Sequence, residues 1–386
     1  AAASPPLRCD SGVRELNARA TLLLGVPSLP GSRGRARRSS ARGSWMRFGA
    51  VGDRVAVCFL LSALHAPGEM ARLAAEARRH RDMLFLPVAE SHMLFRQKTR
   101  YSNFSSRGRG MPTFKQYAFF QHAAAHLPDV PFVGKVDDDT AVNLPQLLPL
   151  LQHAACLPHA FVGAINWAAY VPAAHWSGVR GDRCGFGWSR DASLSNFGRS
   201  WGVPHTKGFI AACDDIGAVP TFPYATGAGY VFSAKLLAWA RPAPQPPPNH
   251  NPNPDPTLPT LSSGSPPPLP QVASSPVVRG WVAEARGPGR EALQWQKYED
   301  TSTGYWLTYS PFRVEYVNVG RWVHDFRCDP LGAHKAAGGG LYRPASPASL
   351  LVHNLKNGGF NAAFEQMQGA AYDHRRCMRD PLTDRV

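Results

Sequence analysis

Acidic charge is scarce in this chain. Its 386 residues carry 27 Asp and Glu against 42 Lys and Arg, a formal net charge of +15. That balance favours anionic partners, a nucleotide, a nucleic acid or an acidic membrane surface, without choosing among them. Long apolar runs are missing as well. Thr21-Leu22-Leu23-Leu24-Gly25-Val26 falls far short of the roughly 20 apolar residues that a membrane span requires. No CxxC occurs, so the seven cysteines do not read as a zinc site. Their wide spacing suits either a few disulfides in an oxidising compartment or buried thiols, and the odd count leaves at least one without a partner in the chain. RNA-binding signatures, C2H2 spacing and regular basic–aromatic alternation are also absent, which leaves nucleic acid a minor alternative. The chain begins at Ala1 rather than Met, so an anchor or signal has room upstream.

What the chain does have is core material: 44% of residues are hydrophobic and 18% charged, enough for one large or two moderate domains. Its 35 Gly and 36 Pro are concentrated in local tracts. The densest, residues 242–276, holds Pro242, Pro244, Pro246-Pro247-Pro248 and Pro266-Pro267-Pro268. Such a tract packs no core and is expected to be a disordered or polyproline-like surface insertion within a domain.

Continuous apolar runs at Leu22–Val26, Arg54–Leu61, Met83–Val88 and Pro131–Val136 read as buried strands, with a further strand at Phe161–Ile165. Between them, helical spacing marks Gly68–His80, Phe114–Leu127 and Leu144–His153. In the second helix Tyr117, Phe120, Ala124 and Leu127 are expected to face inward and His122 outward, with Thr113 as cap and Gln116 placed for a capping box. This order predicts an α/β layer around a largely parallel sheet. The segment Arg33, Arg35, Arg37, Arg38, Arg42 reads equally well as a solvated basic loop or helix start and as a phosphate-facing wall.

The chemistry concentrates where apolar runs stop. Phe132-Val133-Gly134-Lys135-Val136 runs directly into Asp137-Asp138-Asp139. A triple Asp in isolation is more often a solvated turn. At the end of a buried strand it points to a hard divalent cation, because ionised carboxylates enter interiors only with a countercharge. Leu350-Leu351-Val352 leads in the same way into His353. A lone His is usually structural, but a second strand end makes this one a ligand candidate. Aromatics flank Gly227 and Gly229 in Phe222–Ser233, which fits a tight turn or a backbone approaching a ligand. Glu299-Asp300 precede Gly304 at a helix start, as an N-cap, a catalytic carboxylate or both.

Taken in order, the strand Leu22–Ser28, the segment Arg37-Arg38-Ser39-Ser40-Ala41-Arg42-Gly43-Ser44-Trp45, Lys135–Asp139, Phe222–Ser233, Glu299-Asp300…Gly304 and Val352-His353 resemble the β1,3-galactosyltransferase and Fringe-like glycosyltransferases of the Golgi. The resemblance spans about residues 20 to 357 and departs from the family pattern at Thr221-Phe222, Ala225, Thr301 and Trp306. It implies a GT-A fold, Rossmann-like with helices flanking the sheet, in a domain over 20–386 preceded by an N-terminal segment over 1–19. It also implies inverting transfer of galactose or N-acetylglucosamine from a UDP-sugar to a hydroxyl of a glycan or glycoprotein, in a Golgi-lumenal domain whose membrane anchor lies outside this chain. Carried over residue by residue, Asp139 and His353 are the expected Mn²⁺ ligands. Asp137, Asp138, Arg42, Gly227 and Gly229 are expected to face the nucleotide sugar, and Asp300 is expected to be the base. A catalytically inactive UDP- or carbohydrate-binding protein on the same fold is the alternative.

Overall fold

The computed structural model describes residues 5–63, 65–86, 113–170, 185–186, 219–240, 299–307, 310–326, 344–355 and 359–370. The Pro-rich tract lies outside the described residues, as do residues 98–112, most of 166–221 and residues 291–297.

The chain opens with α1 (Val13–Arg19), β1 (Leu22–Pro27) and α2 (Ser32–Gly43), followed by β2 (Val55–Ser62), α3 (Pro67–His80) and β3 (Met83–Leu86). Then come α4 (Thr113–His126), β4 (Phe132–Val136), β5 (Ala141–Val142), α5 (Leu144–Ala154), β6 (Ala160–Tyr170) and β7 (Gly185–Phe186). The remainder is β8 (Val219–Ser233), α6 (Ala234–Leu237), α7 (Glu299–Leu307), β9 (Glu315–Asn318), β10 (Val323–Asp325), β11 (Leu351–His353) and α8 (Phe360–Met367).

The main sheet runs β3-β2-β1-β4-β8-β6-β7, with β9 added on β6. Strands β3, β2, β1 and β4 are parallel to one another, whereas β4–β8, β8–β6 and β6–β7 pair antiparallel. The expected α/β layering is thus present in a mixed sheet. Every residue of β1, β2 and β4 is buried, as befits parallel strands covered on both faces. Alternation along β1 splits the core. Leu22, Leu24 and Val26 pack with Ala41, Leu73, Leu147 and Phe364 on one face, and Leu23 packs with Leu16, Phe119 and Leu236 on the other.

Residues 5–19 carry no sequence pattern, yet they are part of the core. Leu7 and Leu16 are buried, and Cys9 is disulfide-bonded to Cys58 in β2. On α4 the inward stripe Tyr117, Phe120, Ala124 and Leu127 is buried as expected. Two details of that helix differ. His122 is half-buried, and burial pushes its imidazole down to about 4. Gln116 is fully buried and bonds inward to Tyr230 and Thr303 rather than to a cap.

The arginine segment is a complete helix, because joining parallel β1 and β2 requires a crossover. Its second and third turns are tied to α3. Arg38 is fully buried and grips Glu76 through Nε (2.8 Å) and Nη2 (2.6 Å), while Arg42 Nη1 reaches Glu76 at 2.8 Å. Burial alone would raise the Glu76 carboxyl, but the two guanidinium groups outweigh it and hold Glu76 at about 2 instead of 4.5. A depressed carboxyl adds stability that is present above its unfolded pKa and lost as pH falls toward its folded one. Thermal melts of Glu76→Gln should therefore lie below wild type at neutral pH, by on the order of 2–3 kcal/mol. The gap should close between about pH 4.5 and pH 2, and a gap that does not vary with pH would refute this reading.

Candidate active site

The order β3-β2-β1-β4 reverses between β1 and β4, because the chain builds leftward from β1 and then returns to its right. In open α/β sheets, ligands bind beyond the carboxyl ends of the strands at such a switch point. Asp137-Asp138-Asp139 leave β4 at that place.

A second, three-stranded sheet completes the site. β5 follows Asp139-Thr140 directly and pairs antiparallel with β11, Val352 opposite Ala141. β11 also pairs in parallel with β10, which sets Asp325 opposite His353. The backbone of Asp139 is held by Leu355 N, which donates to its carbonyl at 2.9 Å. The chain turns away after His353 through Asn354, whose φ of 67° is left-handed and suits Asn better than most side chains.

His353 Nε2 thereby lies 3.3 Å from Asp139 Oδ1 and 3.7 Å from Asp137 Oδ2. One ligand atom from each of the three residues falls within 4.8 Å of the others. The second ring nitrogen, Nδ1, is 2.7 Å from Asp325 Oδ1. A carboxylate on the far nitrogen is the usual support of a metal-binding His, since it fixes tautomer and ring orientation. Two carboxylates and one imidazole make a donor set that could hold a metal ion. Burial pulls the His353 imidazole down, but Asp139, Asp137 and Asp325 outweigh it and hold it well above its ordinary range.

Asp138 turns the other way, into an ion pair with Arg37 of α2. Burial pushes its carboxyl up to about 6 despite that pairing. Arg42, expected to face a nucleotide, does not reach this cluster. Its Nε and Nη2 are taken by Asp82 at 2.7 and 2.8 Å and its Nη1 by Glu76. The arginine that α2 presents to the acids is Arg37.

Beneath the acids lies Lys135, fully buried. Its ammonium contacts Asp137 Oδ1 at 2.5 Å, Gly227 O at 2.6 Å and the Glu299 carboxylate. Burial would lower this amine, but the two carboxylates raise it further, so it stays charged. Burial pushes the Glu299 carboxyl up, against the pull of Lys135. The other Glu299 oxygen accepts from Tyr230 Oη at 2.8 Å, and Gln116 Nε2 donates to Tyr230 Oη and to Thr303 Oγ1. Register explains this chain of contacts, because Lys135 on β4 sits directly opposite Tyr230 on β8.

β8 itself is interrupted here. Ala225 pairs with Ile165 and Tyr230 with Gly163, so Thr226–Gly229 bulge out of the β6 ladder. The freed backbone of Gly227 serves the site: its carbonyl accepts from Lys135 and its N–H donates to Asp300 Oδ2 at 3.2 Å. A β-carbon at Gly227 would come within 3.1 Å of Glu299 Oε1, 3.4 Å of Asp137 Oδ2 and 3.6 Å of Asp300 Oδ2. Carboxylates from β4 and α7 therefore border one small space. Gly304 brings α7 there, since a β-carbon on it would meet Tyr224 Cβ at 2.3 Å. Gly229 has a packing reason instead: it is buried, and Val136 and Leu351 fill the place of its missing side chain.

Asp137, Asp139, His353, Gly227 and Asp300 are thus gathered at one place, Asp138 borders it against Arg37, and Arg42 and Gly229 serve the scaffold. Sequence reasoning missed Asp325, and it quoted Lys135 and Arg37 within their motifs without giving either a role in the site. Among the described residues no helix is long and apolar enough to cross a membrane. No protein-family model matches the chain, and no curated protein matches it.

Proposed function

We propose that the chain is a metal-dependent glycosyltransferase of GT-A type, similar to the β1,3-galactosyltransferase and Fringe-like family, moving a hexose from a UDP-sugar to a hydroxyl of a glycan or glycoprotein. The observation that carries this reading is the meeting of Asp137, Asp139 and His353 at the sheet's switch point, with Asp300 held beside them on the Gly227 N–H.

In this reading Asp137, Asp139 and His353 hold Mn²⁺, with Asp325 orienting His353. When bound, the ion supplies positive charge to the diphosphate. Asp300 takes the proton of the acceptor hydroxyl while that oxygen bonds to the anomeric carbon. The bond from that carbon to the diphosphate oxygen breaks, its electron pair leaves with UDP, and a single displacement inverts the centre. Glu299 is bound to Lys135 and Tyr230 and is 4% exposed, so it positions the site while the half-buried Asp300 is the carboxylate placed to meet an acceptor. The Cys9–Cys58 disulfide agrees with an oxidising lumen such as the Golgi.

The test is UDP release from a panel of UDP-hexoses with and without Mn²⁺. Wild type should turn over at least one donor only with the metal. Asp139→Ala should lose both turnover and Mn²⁺ binding, because it removes a charged ligand. Saturable UDP binding with no turnover on any donor or acceptor would establish the inactive alternative.

A further inference from the structure

A cavity of about 730 Å³ lies between α2 and α3, away from the acid cluster. Arg35, Ser39 and Arg42 line it from α2 at spacings of four and three residues, and Arg72, Glu76 and Arg79 line it from α3 at the same spacings. Each set is therefore one helical face. At about 100° per residue, Arg37 stands roughly 200° around α2 from Arg35 and roughly 140° from Arg42. The helix thus shows one arginine to the acid cluster and a different arginine face to the cavity.

The charge within the cavity is lopsided. Its floor is already matched: Glu76 binds Arg38 and Arg42, and Asp82 takes the rest of Arg42. Its walls are not. Among the described residues, the side chains of Arg35, Arg72 and Arg79 form no ion pair and no hydrogen bond, and all three residues are exposed. Three unmatched guanidinium groups and the Ser39 hydroxyl thus border a space of ordinary ligand size. Guanidinium groups are forks for planar, two-point recognition of oxyanions, and an ion pair held by several of them at once is worth more than isolated surface pairs.

We infer that the α2–α3 cavity is a second anion site, one that takes a phosphate or sulfate ester and is separate from the site at the end of β4. This inference does not rest on the transferase reading. Titration calorimetry on the full chain without added metal would test it, using inorganic pyrophosphate and a fully sulfated disaccharide as probes. One probe should bind saturably at one per chain, and the tighter one identifies phosphate or sulfate as the source. The triple variant Arg35→Ala/Arg72→Ala/Arg79→Ala should bind it at least about tenfold more weakly, while Asp139→Asn should bind it like wild type. Thermal melting checks that the triple variant folds. Should it not fold, Arg72→Gln and Arg79→Gln singly should each weaken binding about threefold. Absence of saturable binding, equal affinity in the arginine variants, or loss in Asp139→Asn would overturn the inference. None of these results bears on whether Mn²⁺-dependent UDP release depends on Asp139.

Discussion

Asp300→Asn is expected to lower the turnover number for sugar transfer by roughly 10²–10⁴-fold, the usual contribution of a positioned general base. Mn²⁺ and UDP affinities should stay within about threefold of wild type, because the proposed base acts in the transition state and not in binding metal or nucleotide. The substitution is nearly isosteric, and an Asn side-chain oxygen can still accept from the Gly227 N–H, which Asp300 Oδ2 engages at 3.2 Å. What Asn cannot do is take up a proton. Asp139→Asn makes the informative contrast, since it removes charge from the group formed with Asp137 and His353. That variant should lose metal affinity and turnover together. Steady-state kinetics with a metal titration separates the two. Unchanged turnover in Asp300→Asn would move the proton transfer elsewhere, and equal losses of metal affinity in both variants would assign Asp300 to the metal rather than to the acceptor.

The components of this site were legible to the extent that their chemistry is local. Three carboxylates at the end of an apolar run conflict with burial wherever that run lies, so Asp137–Asp139 stood out without knowledge of the fold. His353 was visible for the same reason. Asp325 was not, because a single acid on a three-residue strand has no local signature, and only the pairing of β10 with β11 sets it opposite His353. The arginines show a different limit. α2 starts without a side-chain cap, so its helical phase could not be read, and phase alone decides that Arg37 rather than Arg42 meets Asp138. Gln116 fitted a capping box by spacing but is drawn inward by Tyr230 and Thr303, which lie more than a hundred residues away in the chain. The parallel half of the sheet followed from continuous apolar runs. The antiparallel half did not, since the β8 bulge and the small second sheet depend on long-range register.

Lys135→Met should produce the largest loss of stability, about 3–5 kcal/mol, as expected when one member of a buried ion pair is removed. Methionine keeps most of the volume, so the loss reports charge rather than a cavity. Lys135 is the one cation contacting Asp137, Glu299 and the Gly227 carbonyl together among the described residues. Without it, Glu299 and the Gly227 carbonyl lose their cation and Asp137 keeps only His353 at 3.7 Å, so the buried acids become costly. Against a total stability of about 5–15 kcal/mol, much of the margin would go. The decisive measurement is a double-mutant cycle by urea unfolding. Glu299→Gln removes one orphaned charge and keeps an acceptor for Tyr230, so Lys135→Met/Glu299→Gln should be more stable than Lys135→Met alone. The same cycle followed by Mn²⁺ affinity should show only partial recovery, because Asp137 still lacks its ammonium and the Gly227 bulge its donor. Additive losses in both readouts would mean that Lys135 and Glu299 act independently, and the support drawn here beneath the acid cluster would fail with them.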